Sequence, residues 1–157
     1  MKTKPLRIGL ISDTHNLVRP EAKRALAGVD RILHAGDICG PAVLQELEQI
    51  APVVAVRGNN DSGSWADSIK TTEMVDIDGL SIYILHDLND LDVDPHAAAV
   101  GVVLTGHSHK PRIDEKDGVL YINPGSAGPR RFKLPVSLGI LEIQDREIRP
   151  QLITLDC

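Results

Sequence analysis

The feature that most limits how this chain can fold is a series of short apolar runs rich in β-branched residues. Such runs are typical of strands buried on both faces of a sheet, and they are too short for core helices. The first three alternate with segments of helical pattern, which indicates an α/β arrangement with parallel neighbouring strands. The clearest strand predictions are Arg7 to Ser12, Arg31 to Ala35, Pro52 to Val56, Leu80 to Leu85 and Gly101 to Thr105.

Two segments between these runs have the pattern of helices. Residues 20–30 begin with Pro20, which suits a first helical turn, and contain Gly28, which suits a helix C-cap. Residues 40–50 place Pro41 in the equivalent position, and their apolar side chains recur at helical spacing. A third, shorter helix is predicted from Pro95 to Val100.

The second half of the chain changes character, because the helical pattern stops after Thr105. Residues 71–85 predict a hairpin, and the segments around 112–122 and 136–155 predict antiparallel strands. The expected fold is therefore α/β, with two mixed β-sheets packed as a sandwich and helices flanking them. The predicted turns of the second half are Asp78-Gly79, Asp117-Gly118 and Asp145-Arg146.

Composition limits the classes of function. The 157 residues suffice for one domain with a full core, which we expect to span residues 1–157. The formal net charge of -5 argues against extended nucleic-acid binding, although bound cations could still attract a small phosphate ester. No apolar run reaches transmembrane length, so no membrane contact is expected. Because Cys39 and Cys157 form no paired motif, we expect a reduced, cytoplasmic protein.

Polar side chains follow each of the five predicted strands at the point where the strand ends. Functional groups of α/β sheets gather beyond the carboxyl ends of the strands, so these side chains are expected to meet. They offer nitrogen and oxygen but no thiolate, which favours a metal site other than a structural zinc knot. The seven candidate metal ligands are Asp13, His15, Asp37, Asn59, His86, His107 and His109.

Two ions explain seven ligands better than one ion does. Two ions that share a bridging carboxylate would lie roughly 3.5–4 Å apart, as in two-metal hydrolases. Two divalent cations outweigh the carboxylates of Asp13 and Asp37 together with one bridging hydroxide. The site would then carry about one net positive charge, which would attract a phosphate.

Short motifs occur in a fixed order along the chain: D-x-H, G-D, G-N-N-D, a lone His and G-H-S-H. This ordered set resembles the calcineurin-like metallophosphoesterase superfamily, and the whole chain is similar to its small YfcE-like phosphodiesterases. The similarity extends from Arg7 to about Leu141 and includes ILHAGD, VRGNND, VVLTGHSHKP and INPGSAGPRR. The resemblance implies a metal-dependent phosphodiesterase in which a hydroxide bridging two metal ions attacks phosphorus.

The resemblance also implies how the ligands divide between two divalent ions, commonly Mn²⁺, with Zn, Fe, Ni or Co in some members. Asp37 would bridge the two ions. The loop after the third strand would add the catalytic-site residues Asn60 and Asp61, with Asp61 fixing the loop that carries Asn59 and Asn60. The first ion would be held by Asp13, His15 and His109, and the second by Asn59, His86 and His107.

Two positions depart from the family pattern. Many members have His directly after the metal-binding Asn, whereas Asn60 stands here and cannot act as a general acid. Many also have Gly after the lone His, whereas Asp87 stands here, and we expect it to begin a loop. His34 is expected to be a buried, hydrogen-bonded histidine and not an eighth ligand.

The basic cluster Arg130, Arg131 and Lys133 has two interpretations, either as a solvated surface or as a contact to substrate or another subunit. The function also has an alternative, because the retromer subunit of this fold is a non-catalytic scaffold that binds partner proteins. The complete ligand set favours an enzyme acting on a small phosphate ester. The resemblance further suggests a possible homo-oligomer.

Overall fold

The structure is a computed structural model that describes residues 4–157. Its helices are α1 (Pro20–Ala25), α2 (Pro41–Glu48) and α3 (Ser64–Asp67), and a 3-10 turn covers Leu88–Asp90. Its strands are, in chain order, β1 (Leu6–Ile11), β2 (Arg31–His34), β3 (Val53–Ala55), β4 (Thr72–Ile77), β5 (Leu80–Leu85), β6 (Val102–Leu104), β7 (Arg112–Lys116), β8 (Val119–Asn123), β9 (Ser137–Gln144) and β10 (Glu147–Thr154).

The strands form two mixed sheets of five strands each. The first sheet has the order β10-β9-β1-β2-β3, with β1, β2 and β3 parallel and β9 antiparallel to β1. The second has the order β4-β5-β6-β8-β7, with β5, β6 and β8 parallel and both outer strands antiparallel to their neighbours. The expected pair of mixed sheets with flanking helices is confirmed.

The apolar side chains fill two layers and a smaller third cluster around Tyr83 and Val103. One layer lies between the two sheets and takes Ile8 and Leu10 from β1 together with Ile82 and Ile84 from β5. The other layer lies where the helices cover the first sheet, so strands buried on both faces carry near-continuous apolar runs. The large side chains that are fully buried are all Ile and Leu among the described residues, as the scarcity of aromatics predicts.

Both well-patterned helices form, and each begins at its proline. A proline in the first helical turn has its φ preset and has no N–H to leave unpaired. The third predicted helix was wrong: residues 95–100 make an irregular turn, in which Ala98 N–H bonds to Asp94 O and Val100 N–H to Pro95 O. Ala99 has a φ of +59°, which stops helical propagation before the chain enters β6.

The short helix α3 has no counterpart in the predicted pattern. It is a single turn, so it carries too few residues to show a period. Trp65 and the following Ile69 pack it against the layer of apolar side chains that also contacts α2. None of the helices in the described part of the chain is long and apolar enough to cross a membrane.

Candidate metal centre

The seven predicted ligands lie just beyond the carboxyl ends of five strands, three in the first sheet and two in the second. The first sheet supplies ligands after β1, β2 and β3, and the second supplies them after β5 and β6. Side chains from the two sheets meet: Nε2 of His86 lies 3.3 Å from Oδ2 of Asp37, and Nε2 of His109 lies 3.3 Å from Oδ1 of Asp13. The centre therefore forms only where both sheets come together.

Asp13 is fully buried, and its two carboxylate oxygens have different surroundings. Oδ2 accepts hydrogen bonds from Ser12 Oγ at 2.6 Å and from the His107 N–H at 3.0 Å. Oδ1 has no hydrogen-bond partner and faces His15, His86 and His109. Burial raises the pKa of Asp13, but the nearby His109 ring and the Ser12 hydrogen bond outweigh it and lower that pKa overall. The protein thus holds one oxygen and leaves the other for a cation.

Asp37 is held by Asn60 through both of its oxygens. The Asn60 N–H donates to Oδ1 at 2.9 Å, and the Asn60 side-chain amide donates to Oδ2 at 2.8 Å. Burial raises the pKa of Asp37, whereas the contact with His86 and the Asn60 hydrogen bonds hold it well below its usual range. Asp37 is consequently a fixed carboxylate anion.

The tautomer of His86 follows from its neighbours. Its Nδ1 lies 2.8 Å from the Ala35 carbonyl oxygen, which can only accept, so Nδ1 carries the proton. Nε2 is buried without a hydrogen-bond partner and faces Asp37 and Asp13 at 3.3 and 3.9 Å. Metal-binding histidines commonly donate their other N–H to a carbonyl or carboxylate in this way.

Two overlapping groups of side chains have donor atoms that all lie within 4.8 Å of one another. Asp13 belongs to both groups, while Asp37 Oδ2 also approaches the ring of His15, at 3.8 Å from Nε2. Both carboxylates therefore face histidines of the two ligand sets that the resemblance implies. The groups are Asp13, His15 and His109, and Asp13, Asp37 and His86.

These donor atoms fit a divalent cation. Ligands about 2.1 Å from one ion at tetrahedral angles lie about 3.4 Å apart, close to the 3.3 Å that separates His86 from Asp37 and His109 from Asp13. Buried polar atoms without partners cost about 1–3 kcal/mol each, and a cation would relieve that cost. The unpartnered atoms at the centre are Asp13 Oδ1, His15 Nε2, His86 Nε2 and His109 Nδ1.

Asn59 and His107 lie at the open side of the centre. Nδ1 of His107 is 3.2 Å from Oδ1 of Asn59, again a separation that two ligands of one ion would have. His107 belongs to neither of the buried groups, and 45% of its side chain is exposed. Its Nε2 lies 3.7 Å from Asp87, which also accepts the Asn89 N–H and so begins the expected loop.

Asp61 connects two loops that carry predicted ligands. Its Oδ1 accepts the Cys39 N–H at 2.7 Å, and its Oδ2 accepts the Gly58 N–H at 2.8 Å. A Cβ at Gly58 would collide with the Asp37 carboxylate, so only glycine lets the β3 loop approach so closely. Asp61 thereby fixes the backbone on which Asn59 and Asn60 stand.

His34 is fully buried and completes a chain of hydrogen bonds beneath the centre. Its Nδ1 accepts the Gly36 N–H at 3.0 Å, so its Nε2 donates to Thr14 Oγ1, also at 3.0 Å. The Thr14 hydroxyl in turn donates to the Ile38 carbonyl. Burial lowers the pKa of His34 to about 4, which keeps the ring neutral, and His34 is not a ligand.

Two residues that contact the ligands were not predicted as site residues from the sequence. Ser12 donates to Asp13, and Cys39 Sγ lies 3.5 Å from His15 Nδ1. Burial, together with nearby carboxylates, raises the pKa of Cys39 to about 11, so a neutral thiol faces that ring. Ser12 is the sequence neighbour of Asp13 but belongs to no recognised motif, whereas the Cys39 contact depends on two strand ends that are distant in sequence.

The backbone of the ligands is unusual. Five of the seven have φ in the left-handed region, where Asp, Asn and His are enriched but other residues with a Cβ are rare. Such conformations cost of order 1–3 kcal/mol each and persist where the surroundings impose them. These five are Asp13 (54°), His15 (45°), Asp37 (56°), His107 (71°) and His109 (63°).

A cleft of about 420 Å³ opens beside the exposed side of the centre. His86 and His107 form one wall. Three of the other lining side chains are acidic, Asp87, Asp90 and Asp92, and Arg57 also lines the cleft.

The fold and this set of donor atoms define a class of metal-binding phosphoesterase. The calcineurin-like phosphoesterase superfamily domain matches residues 6–146, and the chain belongs to that superfamily. It is 33% identical to a probable metallophosphoesterase of Methanothermobacter thermautotrophicus, covering 93% of this chain and 91% of the relative. It is 30% identical to a phosphodiesterase of Methanocaldococcus jannaschii, covering 92% of this chain and 97% of that protein.

Solved structures share the fold. An archaeal phosphodiesterase superimposes with a TM-score of 0.76 at 29% identity, covering 94% of this chain and all of the other. The E. coli phosphoesterase YfcE gives a TM-score of 0.68 at 21% identity, with 96% and 100% covered. Vps29 of Entamoeba histolytica, solved with Zn²⁺, gives 0.69 at 23% identity with the same coverage. The expected resemblance to YfcE-like phosphoesterases is confirmed.

Proposed function

We propose that this chain is a metal-dependent phosphodiesterase acting on small phosphate esters. The observation that carries the proposal is the convergence, from both sheets, of buried donor atoms without partners on two carboxylate anions. When bound, two divalent ions would supply Lewis-acid charge and a hydroxide nucleophile activated at neutral pH. The 30% identical phosphodiesterase supports the choice of diesters.

We propose that the ligands divide as the resemblance implies, with Mn²⁺ as the preferred ion and Zn, Fe, Ni and Co as the ions to compare with it. Asp37 would lie between the two ions, held in place by Asn60. Asp13, His15 and His109 would hold one ion. Asn59, His86 and His107 would hold the other.

Asn60 acts in this proposal by orienting Asp37 and not by transferring a proton. An amide side chain cannot donate a proton near neutral pH, and this amide is already bonded to the Asp37 carboxylate. The enzyme would consequently favour esters whose leaving groups depart without protonation. Asp61 fixes the same loop by accepting the Gly58 N–H.

The alternative is a non-catalytic scaffold, since Vps29 has this fold. Metal binding cannot separate the two functions, because that Vps29 was itself solved with Zn²⁺. Turnover of a phosphate ester is the property that distinguishes them. The formal charge of -5 makes extended nucleic-acid binding unfavourable under either function.

The test is hydrolysis by protein stripped of metal and reloaded with one defined ion at a time. We expect Mn²⁺ to restore hydrolysis of bis(p-nitrophenyl) phosphate, with slower hydrolysis of the monoester p-nitrophenyl phosphate. His96, an exposed residue distant in sequence from every ligand motif, offers the control His96→Gln, which should retain full activity. A protein that binds two ions yet hydrolyses neither ester with any ion would establish the scaffold.

Two further properties belong to the proposal. The two free thiols, Cys39 and Cys157, suit a reducing compartment such as the cytoplasm. A homo-oligomer is proposed from the resemblance to YfcE-like proteins, and light scattering of the purified chain would test it.

A further inference from the structure

A second cleft, of about 280 Å³, adjoins the metal centre at His107. Asp87 and His107 line both this cleft and the one of about 420 Å³, so these two side chains separate the two clefts. The other walls of the second cleft come from the 3-10 turn, with Leu88, and from strands β7 and β8, with Tyr121 on β8. We call it the Leu88 cleft. Because His107 is a proposed metal ligand, the Leu88 cleft lies one side chain away from the proposed reaction centre.

The Leu88 cleft has an apolar and an aromatic wall. The side chain of Leu88 is 45% exposed there. Tyr121 is partly buried and packs against the apolar cluster around Tyr83 and Val103, so its ring has firm support. Proteins hold a flat nucleobase against aromatic and apolar side chains of this kind. A volume of about 280 Å³ is at the lower end for a ligand pocket, so the cleft accommodates one ring system and not a large ligand.

Two polar groups of the Leu88 cleft are free to bind a ligand. The ammonium of Lys110 and the hydroxyl of Tyr121 make no hydrogen bond or ion pair within residues 4–157. In contrast, the Arg112 guanidinium pairs with Asp114, and the Asn123 amide donates to a neighbouring carbonyl and hydroxyl. An ammonium only donates hydrogen bonds and a phenol can donate one, so the free groups suit a ring that carries carbonyl oxygens.

The two clefts also differ in charge. The formal charges that line the Leu88 cleft balance, because Lys110 and Arg112 offset Asp87 and Asp114. The cleft of about 420 Å³ has three carboxylates against one guanidinium. A group rich in carbonyl oxygens is therefore repelled less in the Leu88 cleft, and only there does it meet a cation without a partner.

His107 sets the length of the substrate arm that can reach the Leu88 cleft. Its imidazole stands between the proposed second ion and the cleft, so a ring in the cleft must be joined to the phosphate through a spacer. A nucleoside provides that spacer as its sugar, whereas a ring bonded directly to a phosphate oxygen would stop at His107. A single nucleoside also agrees with the formal charge of -5, which disfavours longer nucleic acids.

We propose that the Leu88 cleft binds the base of a nucleoside phosphodiester while the phosphate lies at the metal centre. The base packs against Leu88 and Tyr121, and one of its carbonyl oxygens accepts a hydrogen bond from Lys110. The preferred substrates are accordingly small diesters in which one arm is a nucleoside whose base carries a carbonyl group. This inference rests on the proposed function.

The test compares two diesters that share a leaving group, the p-nitrophenyl ester of thymidine 5′-monophosphate and methyl p-nitrophenyl phosphate, on the Mn²⁺-loaded protein. We expect kcat/KM of the natural protein to be at least about tenfold higher for the thymidine ester. Leu88→Ala should lower this ratio of kcat/KM values about tenfold, because the base loses an apolar contact. Met74→Ala is the matched control, since Met74 is an equally exposed apolar side chain, on β4, that lines neither cleft.

Substitutions of Lys110 test the polar contact. Lys110→Ala should lower the same ratio about tenfold, because a charge-assisted hydrogen bond to the base is lost. Lys110→Arg keeps the positive charge and should recover part of the preference for the thymidine ester. Lys116→Ala removes an exposed cation of β7 that does not line the Leu88 cleft, and the ratio should keep its natural value.

A second readout does not depend on turnover. By calorimetry, the Mn²⁺-loaded natural protein should bind thymidine 5′-monophosphate about tenfold more tightly than methyl phosphate. Leu88→Ala and Lys110→Ala should remove that preference while their Mn²⁺ affinity stays at its natural value. If the natural protein hydrolyses both diesters without preferring the thymidine ester, or if both variants behave as their controls do, this inference is overturned and the proposed function stands. If the natural protein hydrolyses no ester with any ion, the proposed function fails and this inference fails with it.

Discussion

The inner and outer halves of the metal centre are built differently. The inner half, around Asp13 and His109, is buried, and each of its donor atoms is positioned by strand ends of the two sheets. The outer half, around Asn59 and His107, is more open to solvent. A rigid inner half loses little freedom when it binds an ion, so we expect one tight and one weaker metal site.

The largest effect on turnover should come from substitution of Asp37, the carboxylate proposed to lie between the two ions. Asp37→Asn removes a negative charge from between the proposed ions, and the loss of several kcal/mol of charge stabilisation corresponds to a fall in turnover of about 10³-fold. Both bound ions should be lost or weakened, as measured by elemental analysis after gel filtration. Asp156→Asn, on the exposed carboxyl-terminal segment, is the control. Two retained ions with near-normal turnover would show that Asp37 does not bridge.

The difference between the halves predicts different outcomes for two histidines of one motif. His109→Gln should abolish the tight site, whereas His107→Gln should remove only the weaker one and leave about one ion per chain. Turnover should fall about 10²-fold or more in both, since the proposed chemistry needs both ions. Titration with Mn²⁺, followed by electron paramagnetic resonance, counts the sites. Equal affinities at the two sites in the natural protein would remove the distinction between inner and outer halves.

Substitutions of Asn60 test the residue that holds Asp37 in place. Asn60→Ala removes the amide that holds Asp37 Oδ2, and the loss of such an orienting contact should weaken metal affinity about 10- to 100-fold. Asn60→His should instead help diesters with poor, alkyl leaving groups more than aryl ones, because it introduces a general acid. The measurement is a series of diesters with graded leaving groups at saturating metal. A shallow dependence that Asn60→His leaves unchanged would show that protonation of the leaving group is not rate-limiting.

The smallest effect is on the free energy of unfolding, and it concerns His34, which lies beneath the inner half. The pKa of His34 is about 4 in the folded chain and about 6.5 when unfolded, so its contribution to stability is complete above pH 6.5 and is lost as the pH falls toward 4. Asp13 and Asp37, whose pKa values are also lowered, add a loss in the same direction. His34→Gln should cost about 1–3 kcal/mol at pH 7 and flatten the decline between pH 6.5 and 4. Chemical unfolding of the metal-free protein measures this, and parallel pH curves would contradict the assignment.

The sequence was sufficient to predict the buried strands and the polar residues that follow them. The buried strands were predictable because their apolar runs are continuous, and the ligand positions because polar residues follow those runs. The helix expected at residues 95–100 failed because the segment is short and its alanine run ends at Ala99, whose backbone is left-handed. The contacts of Cys39 and Asn60 could not be predicted, because they depend on the approach of strand ends that are distant in sequence.

The left-handed backbone of the ligands has a consequence for how this fold can evolve. Glycine adopts that conformation without strain, so replacing Asp37 or His107 by glycine would remove a cost of order 1–3 kcal/mol. Natural domains are stable by only about 5–15 kcal/mol, so such relief is substantial. In a lineage freed from selection for metal binding, this relief would offset part of the hydrogen bonding that is lost with Asp37, and the sandwich would remain available for other uses.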